Sequence, residues 1–281
     1  MKSALYTINR DRLSQVSVLL VSSNIGDLIR RLEDEDPQYL SVRDLVRKRG
    51  ASESSVLAVL NALVSYKLAM RGEDWWRCWS RYHIDLPLRR NIGALVDDEV
   101  RFLEECRGAV FQRAAKIKRL YKVKSKGLPV LDRLYESPLS IFDSAGWLIE
   151  GLARALSSKP YAKTIVFAAK MAYYVARTVD KRRMAPWDAM IPVDLRVACF
   201  LYSTGIIEAS SYRDIMRDPR RAQEAILDLA KQIDVPPLNL DTMFWRTGWI
   251  PRDLPRESWD RELAVITGTR FPSRLFVRPC T

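Results

Sequence analysis

Few side chains in this 281-residue sequence have the chemistry to make or break a bond, and the most suggestive is a lysine. Lys163 stands directly before Thr164, Ile165, Val166 and Phe167, where an apolar helix begins, so it belongs to that helix's first turn. A cation there opposes the helix dipole. The same field, with partial desolvation, depresses the amine pKa and raises the neutral, nucleophilic fraction. The structural alternative is a lysine snorkelling from the helix end to water. Lys170 lies seven residues on, on nearly the same face, and spacing alone does not choose between the two. Asp194 follows Pro192 in IPVDLRVACFLY and precedes an apolar helix, the pattern of an N-cap. A capping carboxylate held by backbone N–H groups stays ionised at neutral pH, ready to face a developing cation or to take a proton from an amine. Asp241 and Trp245, four apart in PPLNLDTMFW, share a helix face, and an acceptor beside an indole suits a purine.

Other chemistries lack their residues. His83 is the single histidine, so one chain cannot assemble the two or three imidazoles of a zincin or a two-His iron centre, and a Ser-His-Asp triad would have to use His83. Cys78, Cys106, Cys199 and Cys280 show no C-x-x-C pair and no cluster spacing, and read as reduced intracellular thiols. Neither G-x-G-x-x-G nor G-x-x-x-x-G-K-[ST] occurs. There is no long uninterrupted apolar run and no signal-peptide core near the start, so a soluble, cytoplasmic protein without a membrane segment is expected.

The elements that must position these groups are helices. Apolar residues recur at three and four through Val56, Val59, Leu60, Leu63, Val64 and Leu68, and similar periodicity marks segments 25–33, 42–49, 73–82, 98–106, 110–122 and 143–156. Further helices are predicted at 161–179, 194–203, 219–233 and 236–248, the first of these apolar nearly all round and therefore central. Strand-like alternation is rare, and the segment from Ile250 to Thr281, rich in proline, reads as coil and short turns of unassigned role. The expectation is an all-α chain, 1–281, forming one catalytic domain of two interwoven helical lobes with a central cleft.

Lys and Arg number 46 against 34 Asp and Glu, a net charge of +12, with basic runs at Lys116 to Lys126, Lys181 to Arg183 and Arg217 to Arg221. With 48% hydrophobic residues this charge sits on a folded scaffold, which points to a polyanionic partner such as DNA. The segment LSVRDLVRKRGASESSVLAVLNALVSYKLAMRG has the outline of a helix-turn-helix with Ser52 to Leu68 as reader, but Val56 to Leu68 is too apolar for a major groove.

Taken in order, EDPQY (35–39), LNALVSYKL with GEDWW (60–76), AKTIVFAAK (162–170), IPVDLRVA (191–198) and PPLNLDTMFW (236–245) resemble the archaeal GO glycosylase family, a divergent branch of the helix-hairpin-helix DNA glycosylases acting on 8-oxoguanine. The resemblance spans about three quarters of the chain. It implies Lys163, not Lys170, as nucleophile and Asp194 as its catalytic partner. It also implies a lesion pocket using Gln38, Trp76, Phe167, Asp241 and Trp245, with Trp75 and Trp79 close to the tryptophan chosen. The hairpin before the lysine reads LSSKPYAKT and lacks the L-P-G-[hydrophobic]-G of the wider superfamily, which leaves Ser157, Ser158 and Lys159 for the DNA backbone.

What the resemblance implies is coherent chemistry. A flipped purine is held by aromatic stacking while polar groups read its edge. 8-Oxoguanine differs from guanine by an N7–H donor and a C8 carbonyl, so an acceptor at N7 favours the lesion by about 1–3 kcal/mol, the penalty of a buried unpaired polar group. An amine nucleophile gives a Schiff base and β-elimination, hence a bifunctional glycosylase and lyase in base excision repair that needs no metal or other cofactor. The partner is DNA containing 8-oxoguanine and the working form a monomer. The alternative from another class is a non-catalytic basic helical DNA-binding protein in which Lys163 and Asp194 are structural.

Overall fold

The structure, a computed structural model, describes residues 5–268 and 273–280. It is all-α apart from one short strand pair, and it divides into two compact units, Met1–Asp34 with Met190–Thr281, and Glu35–Ala189. The first unit opens with β1 (Thr7–Ile8), which pairs antiparallel with β2 (Ile207–Glu208). Helix α1 (Arg10–Val21) follows, its N-cap Asn9 accepting from the Arg12 N–H, and then α2 (Ile25–Asp34). Sequence periodicity predicted α2 but not α1, whose polar residues interrupt the apolar face.

The second unit begins at α3 (Pro37–Val64), capped by Asp36, whose carboxylate accepts from the Gln38 N–H at 2.8 Å. The two helices expected around Gly50 are its two halves: Gly50 adopts φ 76°, a conformation that costs a residue with a Cβ, and the helix kinks there. From Val56 to Val64 the second half is buried throughout, so it cannot serve as a groove reader. It ends at Val64 rather than Leu68, because the Ser65 hydroxyl turns back to the Asn61 carbonyl at 2.7 Å and Lys67 is left-handed. Then come α4 (Gly72–Ile84), α5 (Ile92–Glu105), α6 (Arg113–Lys126), α7 (Leu128–Glu136), α8 (Gly146–Leu156) and α9 (Lys163–Val179). Helix α7 was not expected from the sequence; Gly127 and Pro129 mask a start at which proline in the first turn is tolerated. Helix α9 packs along α3, and its residues from Ile165 to Arg177 are buried except Phe167, as its apolar pattern predicted.

Two buried polar clusters hold this unit. Arg49 pairs with Glu53 at 2.5 Å and donates to the carbonyls of His83, Leu86 and Pro87. His83 Nε2 and Trp79 Nε1 both meet Glu99 Oε2, at 2.9 and 3.0 Å. The single histidine is therefore packing, not a catalytic base. After α9, Asp188 caps the start of α8, accepting from the Ala145 and Gly146 N–H groups at 2.9 Å each and from the Ser144 hydroxyl at 2.5 Å.

The chain then returns to the first unit with α10 (Leu195–Ser203), α11 (Tyr212–Ile215), α12 (Pro219–Ile233), a 3-10 turn at Pro237–Leu240 and α13 (Asp241–Thr247). The segment from Ile250, expected to be coil, instead carries α14 (Ile250–Asp253) and α15 (Trp259–Thr267), with Trp259 and Leu263 buried. Positions 269–272 and 281 of that segment lie outside the described residues. Its end is tied back, Val277 N–H to the Ser203 carbonyl at 2.8 Å and Arg278 to the carbonyls of Tyr202 and Ile207. Cys199 and Cys280 form a disulfide, which corrects the expectation of four reduced thiols. They are 81 residues apart in sequence, and spacing arithmetic sees only near neighbours.

Candidate active site

The residues singled out from sequence fall in two groups, one on each unit. On the second unit Lys163 is the first residue of α9 and is exposed, so the partial burial expected for its amine is not there. The N-cap residue is Ala162, which offers no side-chain acceptor to the first-turn amides. A helix N-terminus left without such a cap suits an anion such as a phosphate.

The preceding hairpin solves its geometry without glycine. Ser157 adopts φ 51°, and the Ser158 N–H reaches the Ala153 carbonyl at 2.8 Å while the Ser157 N–H reaches Arg154, the Schellman pattern with serine at the left-handed position. Lys122 on α6 donates to the Leu156 carbonyl and the Ser157 hydroxyl, placing a cation at the negative end of α8. Lys159 is exposed, with its ammonium 5.5 Å from the Tyr161 ring centre.

One turn after Lys163, Phe167 is half-buried and meets the Trp76 ring edge-on at 5.8 Å. Trp75 donates to Asn61 and Ser65 and Trp79 to Glu99; Trp76 is buried as well, edge-on to Trp79 at 5.0 Å, and is the tryptophan whose ring meets Phe167. Lys170, the rival amine, is 3% exposed. Its ammonium lies 3.4 Å from Asp36 Oδ2 and 3.4 Å from Gln38 Oε1, and 4.9 Å from the Tyr174 ring centre; the Tyr174 hydroxyl donates to Asp36 at 2.7 Å. An ammonium only donates, so Lys170 fixes the Gln38 amide with its oxygen toward the amine. Sequence reasoning named Gln38 and weighed Lys170 but missed Asp36; the signal was the D-P pair at a helix start.

On the first unit Asp194 is the N-cap of α10, as its position after Pro192 suggested, accepting from the Arg196 and Val197 N–H groups at 2.9 and 3.1 Å. Asp241, buried, is the first residue of α13, and half-buried Trp245 lies one turn on, though the helix expected from Pro236 starts as a 3-10 turn. Arg196 was not anticipated: its guanidinium stacks 3.8 Å from the Trp245 ring centre and 5.9 Å from that of Trp249, and donates to the Trp245 carbonyl at 3.2 Å. At Gly248 a Cβ would fall 2.3 Å from the Arg196 carbonyl oxygen, so glycine lets the end of α13 touch the first turn of α10.

The basic run on α6 is mostly spent on internal partners. Lys116 is buried among Tyr66 and Trp75, and burial pushes its ammonium below the usual lysine range. Arg119 donates to the Thr164 hydroxyl at 2.8 Å, which braces the first turn of α9, and Lys124 pairs with Asp97 at 2.7 Å. Lys118 and Lys126 remain exposed. Among the described residues no helix is long and apolar enough to cross a membrane.

Comparison with known proteins adds an independent line. A family model described as AGOG, N-glycosylase/DNA lyase, matches residues 20–270. The N-glycosylase/DNA lyase of Aeropyrum pernix is 36% identical over 96% of both chains, and that of Pyrobaculum aerophilum 31% identical over 78% of this chain and 80% of the relative. Among solved structures, that of the 8-oxoguanine DNA glycosylase from Pyrobaculum aerophilum complexed with 8-oxoguanosine aligns with a TM-score of 0.74 at 25% identity, covering 95% of this chain and 99% of that one.

Proposed function

This chain belongs to the AGOG family of N-glycosylase/DNA lyases, and from that premise we propose that it excises 8-oxoguanine from DNA with Lys163 as nucleophile. It is a bifunctional repair enzyme, a DNA glycosylase and lyase. The observation that carries the choice of nucleophile is the contrast between its two candidate amines: Lys163 opens α9 exposed, one helical turn before Phe167, whereas Lys170 is buried against Asp36.

In this reading the neutral Lys163 amine forms a bond to C1′ as the bond from C1′ to the base breaks, its electron pair leaving with the base, which takes up a proton. The Asp194 carboxylate balances the positive charge growing at C1′ and receives the amine proton. Opening of the sugar gives the Schiff base. Loss of a C2′ proton then expels the 3′ phosphate by β-elimination. Phe167, Trp76 and Trp245 supply stacking faces for the purine, Asp241 supplies oxygens that accept from the lesion's edge, and Gln38 meets that edge with an amide whose oxygen it shares with Lys170. Ser157, Ser158 and Lys159 hold the backbone. The expected working form is a monomer and the expected compartment the cytoplasm.

Borohydride trapping on duplex DNA carrying one 8-oxoguanine tests this. Wild type and Lys170→Gln give a lesion-dependent covalent adduct, and Lys163→Gln gives none while still binding the duplex. Binding by wild type without any adduct would sink the amine mechanism and favour a purely architectural DNA-binding role.

A further inference from the structure

We infer that the cavity between α7 and α8 is a second nucleotide site, outside the proposed lesion pocket, that takes a base and phosphate of the same DNA strand. Its volume is about 630 Å³, within the roughly 300–1,000 Å³ usual for small-ligand sites. Its walls carry Lys126, Arg133 and Arg154 against a single acid, Glu150, with Trp147 beside them and Val130 at the base. At Gly151 a Cβ would fall 2.7 Å from Val130, so α7 and α8 touch there and close the floor.

Three features separate this place from an ordinary solvated face. Lys124 pairs with Asp97 at 2.7 Å and Arg183 with Asp143 at 2.9 Å, whereas among the described residues Lys126, Arg133 and Arg154, three cations on one cavity wall, have no carboxylate partner. The Arg133 guanidinium lies 4.3 Å from the Trp147 ring centre, a planar surface on which a base can stack. Trp147 Nε1 is buried with no hydrogen-bond partner, a donor that an oxygen would satisfy once Arg133 shifts. Unpaired cations for a phosphodiester, a stacking plane and a lone N–H together describe a nucleotide.

The position favours a strand already bound. Arg154 is one helical turn, about 4.5 Å of rise, before the Ser157 hairpin at the end of α8, and Lys126 ends α6, whose Lys122 bonds that same hairpin. A backbone held at Ser157 to Lys159 would continue onto Arg154 and Lys126. This step rests on the proposed DNA-backbone role of the hairpin. A free mononucleotide has the same chemistry, and the test separates the two sources.

The measurement is binding of a short duplex carrying one 8-oxoguanine, with and without a single-stranded extension of about six nucleotides on either end. It is made by fluorescence anisotropy on wild type, an Arg133→Ala/Arg154→Ala variant and Trp147→Phe, with a calorimetric titration by dGMP alongside. Arg133 and Arg154 are exposed, so their loss leaves the core intact. In wild type an extension tightens binding about fivefold or more, and both variants lose that gain. The double variant also flattens the salt dependence, by about 0.7 in log–log slope for each cation that meets a single-stranded phosphate. Heat with dGMP that the double variant abolishes would extend the site to free nucleotides. An extension that helps wild type and variants equally, or helps none, with no dGMP heat, overturns the inference. Borohydride trapping at saturating DNA is unchanged in both variants, so a failure here is distinguishable from failure of the Lys163 mechanism.

Discussion

The Arg196 guanidinium sits 3.8 Å from the centre of the Trp245 ring while donating to the same residue's carbonyl, so a residue two after Asp194 holds the tryptophan at the end of α13 by two contacts. Replacing Arg196 with Met removes both contacts. Lesion affinity then falls by about twofold to fivefold, the worth of an exposed cation–π pair, with the rate of bond cleavage at saturation nearly unchanged. Arg196→Lys restores only part of the loss, because an ammonium does not stack as a planar fork does. Equilibrium binding and single-turnover rates read the two quantities separately.

Gly248→Ala should be worse than its size suggests. The new methyl would meet the Arg196 carbonyl, and only a shift of α13 against α10 relieves it, at a cost of about 1–3 kcal/mol. Urea denaturation measures that cost, and loss of Trp245 stacking should follow in the same variant.

Lys170 is predicted to matter for stability more than for chemistry. Removing the ammonium takes a cation away from the buried Asp36 carboxylate, which also accepts from Tyr174, and loss of a buried ion pair is destabilising. Lys170→Met is therefore expected to melt well below wild type, yet to trap on 8-oxoguanine DNA at temperatures where it is folded. A Lys170→Met protein that is as stable as wild type would contradict the ion-pair reading.

The disulfide closes a long loop and should contribute about 2–4 kcal/mol by restricting the unfolded chain. Cys280→Ser, or reduction, lowers the melting temperature and loosens the end of the chain first. Alkylation of the unfolded protein without reductant followed by mass spectrometry should label Cys78 and Cys106 only, and in the native protein exposed Cys78 ahead of buried Cys106.

Cys78 gives a pH signature. Burial first, then the neighbouring Cys106 thiol at 3.7 Å, push its pKa up to about 11. The protonated form is favoured in the folded protein, so the stabilisation is full below the ordinary thiol pKa and is lost as pH rises toward 11. Iodoacetamide should label Cys78 slowly at neutral pH compared with the unfolded chain, and the rate should climb across that window.

Local signals were legible in the sequence where one short segment carried them. The N-cap at Asp194, the proline-started α12 and the buried α9 were all visible from cap residues and apolar spacing. Helix α1 and the helices after Ile250 were not, because polar and proline residues break their patterns and tertiary packing decides them. Long-range partners had no local trace at all: Lys170 meets Asp36 across 134 residues and Arg196 meets Trp245 across 49. The resemblance to a glycosylase family supplied candidate roles that no spacing supplied, whereas the burial of Lys170 needed coordinates.

Asp188 ties the far end of the hairpin pair. The chain leaves its grip at Gly146, climbs α8, turns at Ser157, descends α9 and comes back to the same carboxylate. Burial raises the Asp188 pKa, but the hydrogen bonds from Ser144, Ala145 and Gly146 outweigh it and hold the group ionised below the usual carboxylate range. Mechanically this is a closed truss. A pull on the hairpin is shared by both helices and delivered to one pin, so DNA held at the hairpin as proposed would load α8 and α9 together.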